Sequence, residues 1–460
     1  MLALLLALVA CAPVDPLAAR RAWVQDQLVT DNRLFLSRDP QRVAEKLDRM
    51  AADPYDYLRG SNRLWLADRA NAFHERPPTA FLSVDAARAT LLVGDAHPEN
   101  ASTYLVAGWP DMALPIEMID LDAAGVGPYT LDLGRAALGL ALLGEGLPDC
   151  AWEGCQDAAV SALAEGYAET VLGDPDEARR VGGGIFGRLR DEAEEEGPAR
   201  QRLTELTVST SEGLRLRTDT GLDAAHAGLL PLDRDEEAQA RALFAALDLP
   251  AGSRLTDAAR RFGVGISSLP ALRYLLLVDQ GSPTDEDDSL IEVRELIEPP
   301  AMPGAPAQPF DDNAERVAFA AAALWSEPMV APGYRALCLD GLYWRALPVS
   351  SFVLGLDHLK IAEDVEAGEV ELADVERLGG ELGQLLAQSH LRAGMVTGGD
   401  LRPVLIADLE AGGGEDGLRA ELLGDAEAES ATLLVDWGLL NDLIEEEGPL
   451  LGADGLSGVL

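Results

Sequence analysis

The chain has 460 residues, nearly half of them hydrophobic, enough to bury a large core and to form two or three structural units. Its 79 acidic residues face 36 basic ones, for a formal charge of −43. Such a surface repels phosphate backbones, and with no Lys/Arg run to offset it, nucleic acid and anionic membranes are poor partners.

Residues 1–11 form an apolar run the length of a secretory signal core, too short to span a membrane as a mature helix. Leu8-Val9-Ala10-Cys11 resembles a lipobox, so export and lipidation of Cys11 are expected, with membrane contact only through that anchor. No basic residue precedes the run; the alternative is a buried N-terminal helix and a cytoplasmic protein. Cys150 and Cys155 are close enough to be oxidised together, and Cys338 is expected to be a buried thiol. The histidines, His74, His97, His226, His358 and His390, show no metal-ligand spacing, and no zinc site is expected.

Residues 12–90 read as a helical N-terminal region, with a cap at Asp39-Pro40. Strand-forming Ala89 to Val93 leads into Gly94-Asp95, and a second short strand, Leu114 to Ile119, leads into Asp120. Helical periodicity follows over Leu131 to Leu143, Ala158 to Leu172 and Glu236 to Leu247. Phe262 to Ile266, Leu272 to Val278, Leu290 to Leu296 and Leu342 to Leu347 read as strands of a small antiparallel sheet. A Pro-rich linker runs from Pro299 to Pro309, Asn313 to Trp325 is a helix, and helices dominate from Leu372 onward. The class is α+β. The expected units are residues 1–11, 12–90, 91–250 (first strands and helical part), 251–360 (small sheet) and 361–460 (helices packing back on the larger part).

Phosphoryl transfer needs a carboxylate beside the acceptor hydroxyl and oxygen ligands that hold magnesium on the phosphates. Asp95, Asn100 and Asp120 match those needs. The five-residue step lets a tight loop present Asp95 to the acceptor while the Asn100 amide turns toward metal; Asp120 supplies the second ligand. The plain alternative is that these residues make turns and caps. His97 is a candidate acid/base that also orients the loop. Asp122 is a further metal candidate, Asp132 a cap or anchor for the loop, and Arg135, one turn later, its expected partner.

Order and spacing resemble the catalytic loop and metal-binding Asp of protein kinases and, through Gly-Asp-x-His-x-x-Asn, of aminoglycoside phosphotransferases. A closer resemblance is to the bacterial family called domain of unknown function 2252. Its carriers are Tyr57 to Gly60, Gly94 to His97 with Asn100, Asp120 to Asp122, Gly127-Pro128 with Asp132 and Arg135, Gly263 to Gly265, Val293 to Glu295, and Ala387 to His390. The resemblance implies a two-lobed kinase-like fold in circularly permuted order: the sheet lobe follows the catalytic loop, with Gly263 and Gly265 as its glycine loop. Arg294 stands where the family pattern has lysine, Ser267 to Pro270 replace the later glycines, and Ile119 and Ala123 replace Asn and Glu beside Asp120. The expected activity is Mg2+- and ATP-dependent phosphoryl transfer to an unknown small-molecule or protein acceptor. Arg294 would contact donor phosphates and Arg59 the acceptor. The alternative is an exported pseudokinase-like lipoprotein that binds a ligand or partner without turnover.

Overall fold

A computed structural model describes residues 15–70, 88–147, 150, 154–173, 181–211, 213–218, 228–281, 287–329, 334–394 and 399–453. The N-terminal segment with Cys11 lies outside them, as do His74 and His226.

Five helices come first among the described residues: α1 Pro16–Asp31, α2 Arg33–Arg38, α3 Pro40–Ala52, α4 Pro54–Gly60 and α5 Asn62–Ala70. Three of them begin at an Asp-Pro step. Asp15, Asp39 and Asp53 each accept a hydrogen bond from a first-turn amide, and the following proline occupies a position whose missing N–H costs nothing. The expected cap at Asp39 is therefore present.

Two small ladders follow. Strand β1 (Ala89–Leu92) pairs antiparallel with β4 (Gly125–Pro128), and β2 (Ala101–Thr103) with β3 (Ile116–Met118). Next, α6 (Thr130–Glu145) is buried on nearly every face and serves as a central post. Disulfide-linked Cys150 and Cys155 join it to α7 (Cys155–Leu172). The pairing of α7 with α13 (Leu372–Ala393) depends on small residues: a Cβ at Gly166, Gly379 or Gly383 would collide with a backbone carbonyl of the facing helix. Helices α8 (Gly184–Glu196) and α9 (Gln201–Leu206) lead to the hairpin β5 (Thr207–Thr210) and β6 (Gly213–Leu216).

The one large sheet comes late. It comprises β7 (Gly228–Pro231), β8 (Arg254–Phe262), β9 (Arg273–Asp279), β10 (Ser289–Glu295), β11 (Arg335–Leu339) and β12 (Leu342–Pro348). Its order is β11-β12-β10-β9-β8-β7, with every neighbouring pair antiparallel. Alternation along β9 sends Tyr274, Leu276 and Val278 to the face covered by α10 (Arg234–Ala246), and Leu275 and Leu277 to the face shared with Leu216 and Leu229. Helix α11 (Asn313–Leu324) lies between β10 and β11 in sequence; α12 (His358–Glu366), α13, α14 (Arg402–Ala411) and α15 (Gly414–Glu447) complete the chain.

The expected α+β class holds, with one six-stranded antiparallel sheet and small two-stranded ones beside a helical majority. Two local expectations fail. Strand β8 stops at Phe262, because Gly263 and Gly265 both have φ of +73° and turn the chain out of the sheet. Cys338 is exposed rather than buried, since β11 is the sheet's edge strand and Cys338 points outward from it.

Candidate functional site

Strand β1 delivers the chain to Gly94, whose φ is +84°; a Cβ there would strike the carbonyl of Ala123. The two carboxylate-bearing loops can therefore touch. The Asp95–Asn100 loop is fixed from three sides. Asp132 on α6 accepts from the amides of Val93 and Gly94 (both 2.9 Å), Asn62 Nδ2 donates to Gly94 O (2.9 Å), and Asn100 Nδ2 donates to Asp95 O (2.5 Å). That last bond leaves the Asn100 amide oxygen as the side-chain atom left for a ligand. Asp132 is anchored in turn by His390 Nε2 at 3.1 Å, and Tyr167 hydroxyl meets His390 Nδ1.

Arg135 does not pair with Asp132, contrary to the expectation from spacing. The backbone amides of the loop already occupy both Asp132 oxygens, so Arg135 Nε turns to Asp95 Oδ1 (2.8 Å) and its Nη2 to Leu58 O (2.6 Å). Burial pushes the Asp95 carboxyl above the ordinary range, the Arg135 charge opposes it, and nearby Asp120 adds to the rise. His97 is driven the other way: burial and the Arg135 and Arg59 charges lower it to about 3, so its ring is neutral. Its Nε2 lies 3.8 Å from Asp95 Oδ2, and its buried Nδ1 has no hydrogen-bond partner among the described residues.

Asp120 and Asp122 follow β3 and meet the late sheet. Arg294 Nη2 lies 3.0 Å from Asp120 Oδ1 and 2.6 Å from Asp122 Oδ2; Arg345 Nη1 lies 3.5 and 3.3 Å from the same pair's Oδ1 atoms. Burial would raise Asp120, but Arg294 and Arg345 outweigh it and hold the carboxyl well below its usual range. Asp122 Oδ1 is buried and, among the described residues, accepts no hydrogen bond. Sheet register explains the cations: Arg345, Arg294 and Arg273 stand directly opposite one another on β12, β10 and β9. Like charges in such a row repel, and Glu292 beside Arg273 together with the two aspartates neutralises them. Ser268 Oγ accepts from Arg273 (2.9 Å) and Arg294 (3.1 Å), fixing both.

Asp95, His97, Asn100, Asp120, Asp122, Arg59, Gly265 and Arg294 all line one cleft of about 130 Å³. Gly263 is not on its wall; the carbonyl of Gly263 accepts from Arg49. Asp132 and Arg135 support the loop from behind. Arg59 is paired with Asp56 (2.8 Å) and Glu99 (3.0 Å). Glu99 also binds His358, which burial lowers but Asp53 and Glu99 more than restore, pushing it up to about 9. Although Glu99, Asp357 and His358 cluster closely enough for metal ligation, this charged imidazole makes the group an ion pair.

Lys46, Asp31, Arg63, Ser268 and Arg345 join the site without having been assigned to it from the sequence. The first four share the cleft wall, and Arg345 backs it. The available signal was the placement of Arg42, Lys46 and Arg49 at helical spacing on α3, facing the glycine turn. On the wall Lys46, Arg59, Arg63 and Arg294 nearly balance Asp31, Asp95, Asp120, Asp122 and Glu298, whereas acids outnumber bases 79 to 36 in the chain. Cations are thus concentrated here. A groove of about 1470 Å³ lies elsewhere, between α7, α8 and α13, and contains none of these residues.

No curated protein and no solved structure matches the chain. One family model does, over residues 38–442, and the chain belongs to that family, described as uncharacterized protein conserved in bacteria (DUF2252).

Proposed function

We propose that this cleft is the centre of a kinase-like phosphotransferase in permuted order, in which the catalytic loop comes from the early chain and the sheet of the smaller lobe from the late chain. The observation that carries it is the meeting of Asp95, Asn100, Asp120 and Asp122 with Arg294 across 174 residues of sequence. Mg2+ suits the donor set: two carboxylates and an amide oxygen, with Asp122 Oδ1 buried and facing Arg345 Nη1 at 3.3 Å. Asp120, Asp122 and Asn100 would hold it, and when bound it would neutralise donor phosphate charge. With Oδ1 engaged by Arg135, Asp95 takes the acceptor proton on Oδ2. Neutral His97 stays beside that oxygen without competing as a cation. Because Asp95 is raised, turnover grows as pH climbs through a value above the ordinary carboxylate range.

At about 130 Å³ the cleft takes a phosphate chain and its metal, while small-molecule sites run to roughly 300–1,000 Å³. A whole nucleotide requires the sheet to move back from the Asp120–Asp122 loop. Calorimetry with ATP, with and without Mg2+, on wild type and Asp120→Ala tests the reading. The expected result is Mg2+-dependent binding weakened at least tenfold by the substitution. Absence of heat with any nucleotide would sink it.

One observation favours a second reading, an exported lipoprotein anchored at Cys11 that binds without turnover. Arg294 and Arg345 already neutralise both aspartates, as a divalent cation would. Nucleotide binding that is indifferent to Mg2+, with no phosphate release, would select it.

A further inference from the structure

Lys46 is one of only two lysines in the chain, and it is 2% exposed on α3. A buried ammonium needs a counter-charge, and Nζ has one, Asp31 at 2.9 Å on α1. Yet the side chain forms part of the cleft wall, and an ammonium has three donors, of which this pair uses one. Asp31 is shared. Arg63 Nε on α5 lies 2.8 Å from its other oxygen.

The sharing matters. If Lys46 moved its proton donors to an incoming anion, Asp31 would keep Arg63 and would not become an unpaired buried carboxylate, the costly outcome of breaking such a pair. Helix α3 also touches the glycine turn on either side of Lys46: Arg42 lies over the Phe262 ring, and Arg49 donates to Gly263 O. This places Lys46 on the face of α3 that adjoins the turn, where Gly265 and Ser268 join the wall. A compact ammonium with rotatable donors suits a phosphate better than the planar Arg294 fork, which is committed to two carboxylates.

We propose that Lys46 is the phosphate-binding lysine of the cleft, supplied by a helix preceding the catalytic loop, and that Asp31 holds its ammonium until a phosphate-bearing ligand displaces it. The proposal rests on the phosphate-cleft reading above and adds the residue that grips the ligand. Binding then consists of an exchange of partners, with Arg63 keeping Asp31 neutralised throughout.

The test uses the full chain, with calorimetric titration of inorganic tripolyphosphate and of ATP–Mg2+ against wild type, Lys46→Met and Asp31→Asn. Lys46→Met weakens both ligands at least tenfold, while Asp31→Asn leaves binding equal or tightens it severalfold, because the competing anion is gone. A purely structural pair would shift both variants in the same direction. If wild type binds both ligands and Lys46→Met binds them equally, the assignment of Lys46 is wrong and the cleft reading stands. If wild type binds neither, both are wrong. Should Lys46→Met fail to fold, Asp31→Asn decides alone: binding weakened tenfold or more overturns the exchange.

Discussion

The two ends of the cleft use the same residue type and reach opposite electrostatic states. At one end Asp95 faces a single arginine from the buried post α6, and burial wins, so its carboxyl rises. At the other, Asp120 faces two arginines from the sheet, and the cations win, so its carboxyl falls. Exposure differs as well. The Asp95 side chain is 12% exposed and Asp120 38%, so one carboxylate depends on its protein partner and the other has water in reserve. The number of cations and the access to solvent decide which acid's carboxyl rises and which falls.

Removing Arg135 should give the largest effect. Arg135→Met strips Asp95 of its cation inside the helical body, and a loss of about 3–5 kcal/mol in denaturant unfolding is expected. A second test uses His358, whose imidazole binds Glu99 behind the Asp95 loop. It is raised from an unfolded value near 6.5 to about 9, so its stabilisation is complete below the lower value and disappears as pH climbs through the upper one. The stability gap between wild type and His358→Gln should shrink from on the order of 3 kcal/mol at pH 6 toward nothing above pH 9.5. Arg294→Met follows, at about 1–2 kcal/mol, because Arg345 stays within reach of both aspartates and Asp120 can be hydrated. A cost equal to that of Arg135→Met would break the contrast. The smallest change is Ser268→Ala, about 1 kcal/mol from the two hydrogen bonds that align Arg273 and Arg294.

Much of the element order could be read directly. Asp-Pro caps, apolar strands ending in Gly94 and Ile119, and long helical periodicity depend on near neighbours, and the residues themselves record them. The closeness of Asp95 and Asn100 is local in the same way: they are five apart, and Asn100 Nδ2 donates back to Asp95 O. Arg135 was misassigned because helical spacing says which residues share a face of α6, not that the loop amides have already saturated Asp132. Register hid Arg345, which becomes relevant only by standing opposite Arg294 across two strands. Lys46 lies on a helix that precedes the loop in sequence. Its role depends on where α3 lies against a turn more than 200 residues later.

The row of Arg345, Arg294 and Arg273 has a mechanical consequence. Three guanidiniums side by side on neighbouring strands form a spring held shut by the acids lodged against it. Lifting the sheet away from the early loop would leave that repulsion without its clasp, so the loop's acids help to hold the sheet against the early chain. Because these guanidiniums are only 4–7% exposed, added salt should screen the contact little, and the sheet should stay seated on the loop as ionic strength rises.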